Sequence, residues 1–219
     1  MKDKIKIIGG GLAGSEAAYY LAKKGYDIEL YDIKPKAFTP AHKSPLYGEL
    51  VCSNSLKSND VYANACGLLK EEMRILGSMV IDCANKTSVP AGAALAVDRD
   101  KFAEAITEKL KECDNIKFIC EDVKSFDLSE NVIVATGPLT TGGLCEFIGK
   151  ITGNGYYFYD AAAPIIAGDS IDMNEAFVAD RYGEAGVGDY INCPIDKEGY
   201  LAFYKELITA KRAELHDFE

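Results

Sequence analysis

An α/β fold on a parallel, helix-flanked sheet is what this 219-residue sequence predicts, from three observations. A short β-branched run near the start enters a glycine-rich turn and then a helix-forming segment. A second strand ending in an acid follows at the spacing of a βαβ unit. Further on, a helical stretch is followed by two more apolar runs. Strands and helices that alternate in this way build parallel sheets.

The elements follow in order. KIKII (4–8) is the kind of run that forms a buried parallel strand. It enters Gly9, Gly10, Gly11, Leu12, Ala13 and Gly14, which satisfy G-x-G-x-x-G, and then SEAAYYLAKK, with Gly25 placed to stop the helix. DIELYD (27–32) is the second strand and ends in Asp32. Each residue type has a task. Gly9 permits the tight turn, Gly11 lets the backbone approach a pyrophosphate, and Gly14 lets helix and strand pack closely. The phosphates rest on the helix N-terminus, where unpaired N–H groups and the dipole favour anions. Asp32 accepts from ribose hydroxyls. The front end therefore binds a dinucleotide.

AVDRDKFAEAITEKLKEC (96–113) is a strand end and an amphipathic helix with Asp98 as N-cap. IKFICEDVKSF (116–126) and NVIVATGPLT (131–140) are two further strands. A strand running into Thr136-Gly137, well downstream of the glycine motif, favours FAD over NAD. The whole of 1–150 is then the first part of a Rossmann-like FAD-binding domain of the glutathione-reductase type. From about residue 151 the texture changes to glycine-rich turns and short strand-like runs, an inserted β-rich substrate region (151–219) closed by an amphipathic helix over 194–215. There Tyr156, Tyr157, Phe158 and Tyr159 are either alternating core residues or a stacking platform for a base or flavin.

Composition narrows the function. The net charge is −10, which argues against the chain as a whole being a nucleic-acid binder. The charge is uneven: nine lysines face seven acids over 1–60, and eight basic residues face nineteen acids over 113–219. A polyanion-facing surface belongs to the N-terminal part. No eighteen-residue apolar run and no signal peptide are present, so a cytoplasmic protein without a membrane span is expected. The seven cysteines (52, 66, 83, 113, 120, 145, 193) are scattered without a CxxC pair, and His42 and His216 are the only histidines. A structural metal is not expected, and most thiols should be buried packing.

Cys52 is the exception. In ELVCSNSLKSN (49–59) it sits among serines and asparagines, which favour turns, inside a long loop (33–60) of the kind that carries function.

GGGLAGSEAAYYLAKKG, TPAH, ELVCSNSLKS, GLLKEEMR, PAGAALAVDR, VIVATGPLT, FYDAAAPI, GDSIDM, AFVADRY and NCP occur in this order over essentially the whole chain. Together they closely resemble the folate- and FAD-dependent tRNA (uracil-5-)-methyltransferases, small relatives of the glucose-inhibited division protein A flavoproteins. The resemblance implies transfer of a one-carbon unit from 5,10-methylenetetrahydrofolate, through the flavin, to C5 of the T-loop uridine of tRNA, with NAD(P)H as reductant. It places Arg99 with Gly9–Gly14, Asp32, Thr136 and Gly137 among the cofactor-binding residues. It also implies two catalytic cysteines. One attacks uracil C6; the other, which maps onto Cys52, is its partner and a base at C5. A thiol serves only with a lowered pKa, for which Lys57 and the helix starting near Asn64 are candidate helpers.

The departures are also informative. The family's other cysteine lies in a Gly-Cys-Met-Pro motif that follows a segment ending Asp-Phe-Glu, and this chain ends with HDFE at Glu219. The C6 nucleophile, the last FAD-binding strand and the folate pocket are expected beyond it, so the chain is expected to be a fragment that does not methylate alone. Asp32 replaces a glutamate, Ala93 a glycine and Lys43 a second histidine. Lys43 is a candidate phosphate contact or a solvated lysine. Three alternatives stay open: an NAD(P)H-dependent flavin oxidoreductase without methyl transfer, a non-catalytic FAD-binding remnant, and an rRNA-directed paralogue.

Overall fold

β1 (Lys4–Ile8), α1 (Leu12–Lys23) and β2 (Asp27–Asp32) open the molecule as a parallel βαβ unit. The computed structural model describes residues 4–51, 53–138, 140, 142–153, 166–179 and 188–211. Cys52, the Tyr156–Tyr159 run, FYDAAAPI and His216 lie outside the described residues. β3 (Ser55–Ser58), α2 (Ala65–Ile75), α3 (Met79–Lys86), β4 (Ser88–Val89), β5 (Ala94–Val97) and α4 (Arg99–Lys111) follow. β6 (Ile116–Cys120), β7 (Val132–Val134) and α5 (Gly142–Thr152) complete the first unit.

The main sheet has the order β6-β2-β1-β7 and every pairing in it is parallel. This is the Rossmann-like arrangement expected from the alternation of elements. A second sheet, β3-β5-β4, is antiparallel. Its strand β3 arises inside the long loop.

Contrary to what the KIKII run suggested, the sheet is not apolar on both faces. Ile7, Ile28 and Leu30 lie in the core with Ala18 of α1 and Phe102 and Ile106 of α4. The intervening residues carry charge because strand side chains alternate between faces. There Glu29, only 5% exposed, is ion-paired to Lys4 at 2.6 Å and to Lys117 at 3.5 Å, and accepts from the Tyr31 hydroxyl at 3.1 Å.

β6 and β7 are shorter than the apolar runs. The last partner of β6 is Asp32, paired with Cys120, so beyond Cys120 no neighbouring strand continues the ladder. β7 stops before the left-handed Gly137 (φ +69°) and Pro138, which cannot extend it.

Caps are placed as the sequence suggested. Asp98 accepts from Lys101 N at 3.2 Å, and Gly25 turns left-handed (φ +88°) after α1. An unforeseen clip joins two helices. Ser78 caps α3, and the Glu16 carboxylate of α1 accepts from Ser78 Oγ (2.8 Å), Met79 N (3.1 Å) and Val80 N (2.8 Å).

The chain divides into two units, Met1–Pro164 and Ile165–Glu219. The described part of the second has a 3₁₀ turn (Gly168–Ser170), the two-residue strands β8 (Phe177–Val178) and β9 (Ile191–Asn192), paired antiparallel, and α6 (Lys197–Thr209) capped by Asp196. No helix among the described residues is long and apolar enough to cross a membrane. No group of three His, Cys, Asp or Glu residues among them is placed to hold a metal ion. Cys83 and Cys113 are buried and Cys66, Cys120 and Cys145 half-buried. Cys193 is exposed, contrary to the expectation of buried packing.

Candidate functional site

The glycine turn is shaped by what surrounds it. Gly9 (φ +104°) donates its N–H to Tyr31 O at 2.8 Å, and a Cβ there would collide with the Ala135 carbonyl and Thr136 Cα. A Cβ on Gly14 would collide with Gly9 O. The first and third glycines are thus closed against the β7 turn and against each other. Gly11 differs, because a Cβ there would meet nothing within 4 Å. It is also the N-cap of α1, with no side chain bonded to the helix N-terminus. Ala13, at the start of α1, is exposed, and no N-cap side chain satisfies the first N–H groups of the helix. This suits a diphosphate, which helix N-termini attract through free N–H groups and the macrodipole.

Asp32 binds on both oxygens: Gly10 N donates to Oδ2 at 2.7 Å and Lys34 N to Oδ1 at 2.8 Å. The carboxylate is thus held at the end of β2, beside the turn, with lone pairs left for ribose hydroxyls. Thr136 and Gly137 come to the same turn through Ala135 and Gly9. Thr136 Oγ1 lies 2.5 Å from Thr140 Oγ1, and nothing lies within 4 Å of a Cβ placed on Gly137. These residues fit a flavin dinucleotide. An apolar cleft of about 320 Å³ adjoins this turn between β7 and α5, sharing Thr136 and Gly137 with it and lined also by Phe126, Val134, Ile148 and Ile151, among others.

The segment from 33 to 60 folds back over the turn. Gly48 N donates to Gly10 O at 2.9 Å, and the Tyr47 ring covers Gly10. Thr107 of α4 receives Tyr47 N at 2.9 Å. Burial, reinforced by the negative charge of Asp32, pushes the Tyr47 hydroxyl up to about 12, so it remains a neutral donor. Beneath lies a buried pair. Lys34 Nζ donates to Leu46 O and sits 3.8 Å from Glu49 Oε2, and Glu49 Oε1 accepts from Lys43 N (2.9 Å) and Ser44 N (3.0 Å). Burial holds the Lys34 amino group below the usual lysine range, although Asp32 and Glu49 oppose that shift. His42 meets Thr39 Oγ1 at 2.6 Å; burial, then Lys34, holds its ring below the usual histidine value.

Both flanks of Cys52 are pinned. Arg99 donates from Nη2 to Leu50 O at 2.7 Å. Asn54 pairs with Val97 twice, its carbonyl accepting Val97 N at 3.0 Å and its Nδ2 donating to Val97 O at 3.3 Å. Lys70 Nζ donates to Leu56 O at 2.8 Å. Arg99, a cofactor residue by resemblance, here fastens the thiol loop. Lys57 is exposed and left-handed (φ +65°), while Asn64 begins α2 as expected. Lys43 is exposed.

Sequence reasoning missed Lys34, Tyr47, Glu49 and Lys70. Lys34, two residues past Asp32, carried a positional signal. Lys70 did not: in GLLKEE hydropathy buries the leucines, yet Leu68 and Leu69 are about half exposed and Lys70 is 5% exposed.

The family model of glucose inhibited division protein A matches residues 4–219. The methylenetetrahydrofolate–tRNA-(uracil-5-)-methyltransferase TrmFO of Acetivibrio thermocellus is 53% identical over 220 residues, covering 100% of this chain and 50% of that protein. The protein of the same name from Fusobacterium nucleatum subsp. nucleatum is 55% identical, with the same coverage. The chain spans about half the length of the curated relatives it matches. A crystal structure of the GidA-related protein from Thermus thermophilus aligns with a TM-score of 0.28 at 14% identity, over 54% of this chain and 38% of that one. With a family model that spans nearly every residue and relatives about half identical over the whole of this chain, the chain belongs to the glucose inhibited division protein A family.

Proposed function

We propose that this chain is the FAD-binding, thiol-bearing half of a folate-dependent tRNA (uracil-5-)-methyltransferase that acts in the cytoplasm. The observation that carries the reading is identity above 50% over the full chain to relatives bearing that name. The open space over Gly11 and the uncapped start of α1 support it.

In this reading the residues divide the work. Gly9, Gly10, Gly11, Leu12, Ala13 and Gly14 form the phosphate cradle, Asp32 orients the ribose, and Thr136 and Gly137 line the approach to the flavin nucleotide. Bound FAD supplies the redox and one-carbon-carrying chemistry, with NAD(P)H as reductant and 5,10-methylenetetrahydrofolate as carbon donor. Arg99, Asn54 and Lys70 hold the loop so that Cys52 meets the uracil ring in one position. As a thiolate, Cys52 takes the C5 proton of the T-loop uridine once the new carbon–carbon bond has formed. The resemblance assigns the attack on C6 to no residue of 1–219.

The test is a flavin spectrum of the purified chain, as isolated and after addition of FAD. One bound flavin per chain, with its absorbance structured and shifted from that of free FAD, is the expected result. No uptake at high FAD concentration would overturn the reading of this chain as an FAD-binding half.

A further inference from the structure

In open α/β sheets ligands bind in the crevice at the carboxyl ends of the strands. Here β2 ends in Asp32 and β6 in Cys120, paired in register, and the Tyr47 ring reaches this edge from the long loop. Its centroid lies 5.2 Å from that of Phe118, two residues before Cys120. A Cβ on Gly10 would stand 2.4 Å from Tyr47 Cδ1, 2.7 Å from Cε1 and 2.8 Å from Asp32 Oδ2, so ring and carboxylate flank the same point of the turn. The placement is enforced from several sides. Tyr47 N donates to Thr107 Oγ1 at 2.9 Å, Gly48 N to Gly10 O at 2.9 Å, and Lys34 Nζ to Leu46 O. Gly48 is left-handed (φ +68°), and a Cβ there would collide with Ile106, which keeps this segment tight against α4.

Packing accounts for the ring but not for its hydroxyl. Tyr47 is half-buried, and its hydroxyl has no hydrogen-bond partner among the described residues. A phenylalanine would make the same contacts with Gly10 and Phe118 without drawing a hydroxyl out of water. The group is also a protonated donor at any physiological pH, since burial and then Asp32 push it up to about 12. We propose that Tyr47 binds the adenosine ribose of the dinucleotide: its ring walls the seat beside Asp32, and its hydroxyl donates to a ribose hydroxyl oxygen while Asp32 accepts from the sugar. Each ribose hydroxyl is both donor and acceptor, so a carboxylate and a phenol side by side match the sugar's two capacities. The inference rests on the reading of the glycine turn and Asp32 as an FAD site, and it adds a residue that senses the hydroxyl groups of the sugar.

The test compares FAD with two analogues in which 2′-deoxyadenosine or 3′-deoxyadenosine replaces adenosine. Affinities of wild type and Tyr47→Phe for all three are taken from flavin fluorescence titrations, with melting curves as the check on folding. Tyr47→Phe is expected to melt as wild type does and to bind FAD about fivefold more weakly, the loss of one neutral hydrogen bond. On the analogue that lacks the oxygen Tyr47 contacts, the same substitution is expected to cost less than about twofold, because that bond is already gone. The other analogue keeps the full loss. Equal affinity of Tyr47→Phe and wild type for FAD would overturn the proposal. So would a loss of the same size on all three ligands, which marks an effect through the fold and not a contact with the sugar. A Tyr47→Phe chain that does not fold would also overturn it, since the hydroxyl would then serve the fold itself. A wild-type chain that takes up no FAD would instead overturn the reading of the glycine turn.

Discussion

Gly11 and Gly14 stand three residues apart in one motif, yet they answer to different constraints. Gly11 has ordinary backbone angles (φ −73°) and open space beyond it, whereas Gly14 has the Gly9 carbonyl where a side chain would go. Gly11→Ala is therefore expected to leave the melting temperature nearly unchanged while flavin affinity falls at least tenfold, measured by titration of FAD fluorescence. Gly14→Ala forces backbone apart, and such overpacking costs about 1–3 kcal/mol; urea denaturation should show that loss with or without flavin. If both variants lose only affinity, the two roles are not distinct. The sequence motif gives these glycines and Asp32 directly, because their types follow from local geometry. Lys34 carried only its position after Asp32; Glu49 and Lys70 were hidden, because their roles depend on how the loop folds back on itself or on a helix face that hydropathy assigns to solvent.

Among the elements, the parallel sheet was legible from its period and its βαβ spacing. Two features were not. The second sheet depends on β3, a four-residue strand in a polar stretch that only pairing with β5 makes extended. The charged face of β1 and β2 shows as lysines in KIKII and acids in DIELYD, but the β-branched run outweighs them in a reading by composition. That face carries a pH signature. Burial alone would raise the Glu29 carboxyl, but hydrogen bonds from Lys4 and Tyr31 and the charges of Lys4 and Lys117 bring it below its ordinary 4.5. A depressed carboxyl contributes stability that is complete above the unfolded value and is lost as pH falls through the folded one. Wild type should thus lose stability progressively below about pH 4.5, and Glu29→Gln should flatten that limb in urea titrations from pH 6 to 3. Helix pairing offers a second check. Glu16→Ala removes the acceptor for Ser78, Met79 and Val80 and should cost about 1–3 kcal/mol in urea denaturation; a loss under about 0.5 kcal/mol would mean that water replaces the carboxylate.

For the molecule as a whole, family membership was legible from motif order alone, since the motifs run from the glycine turn to NCP and the family model runs from residue 4 to 219. On the proposed function, the uneven charge, basic over 1–60 and acidic over 113–219, directs a search for tRNA contacts to the N-terminal sixty residues. If Lys43 is a phosphate contact as the proposed function allows, charge-reversing Lys43→Glu is expected to weaken tRNA binding and reduce its salt dependence by about one counterion. The stitching of the thiol loop has a further consequence, for how the sequence is free to vary in length. Between Leu46 and Leu56 the backbone is registered against Lys34, Gly10, Arg99, Val97 and Lys70 in turn. One inserted residue would shift every later carbonyl by about 3.3 Å, past the reach of its donor. Homologues should therefore gain and lose residues elsewhere, as in the exposed stretch around Ser129, and keep an invariant count from Leu46 to Leu56.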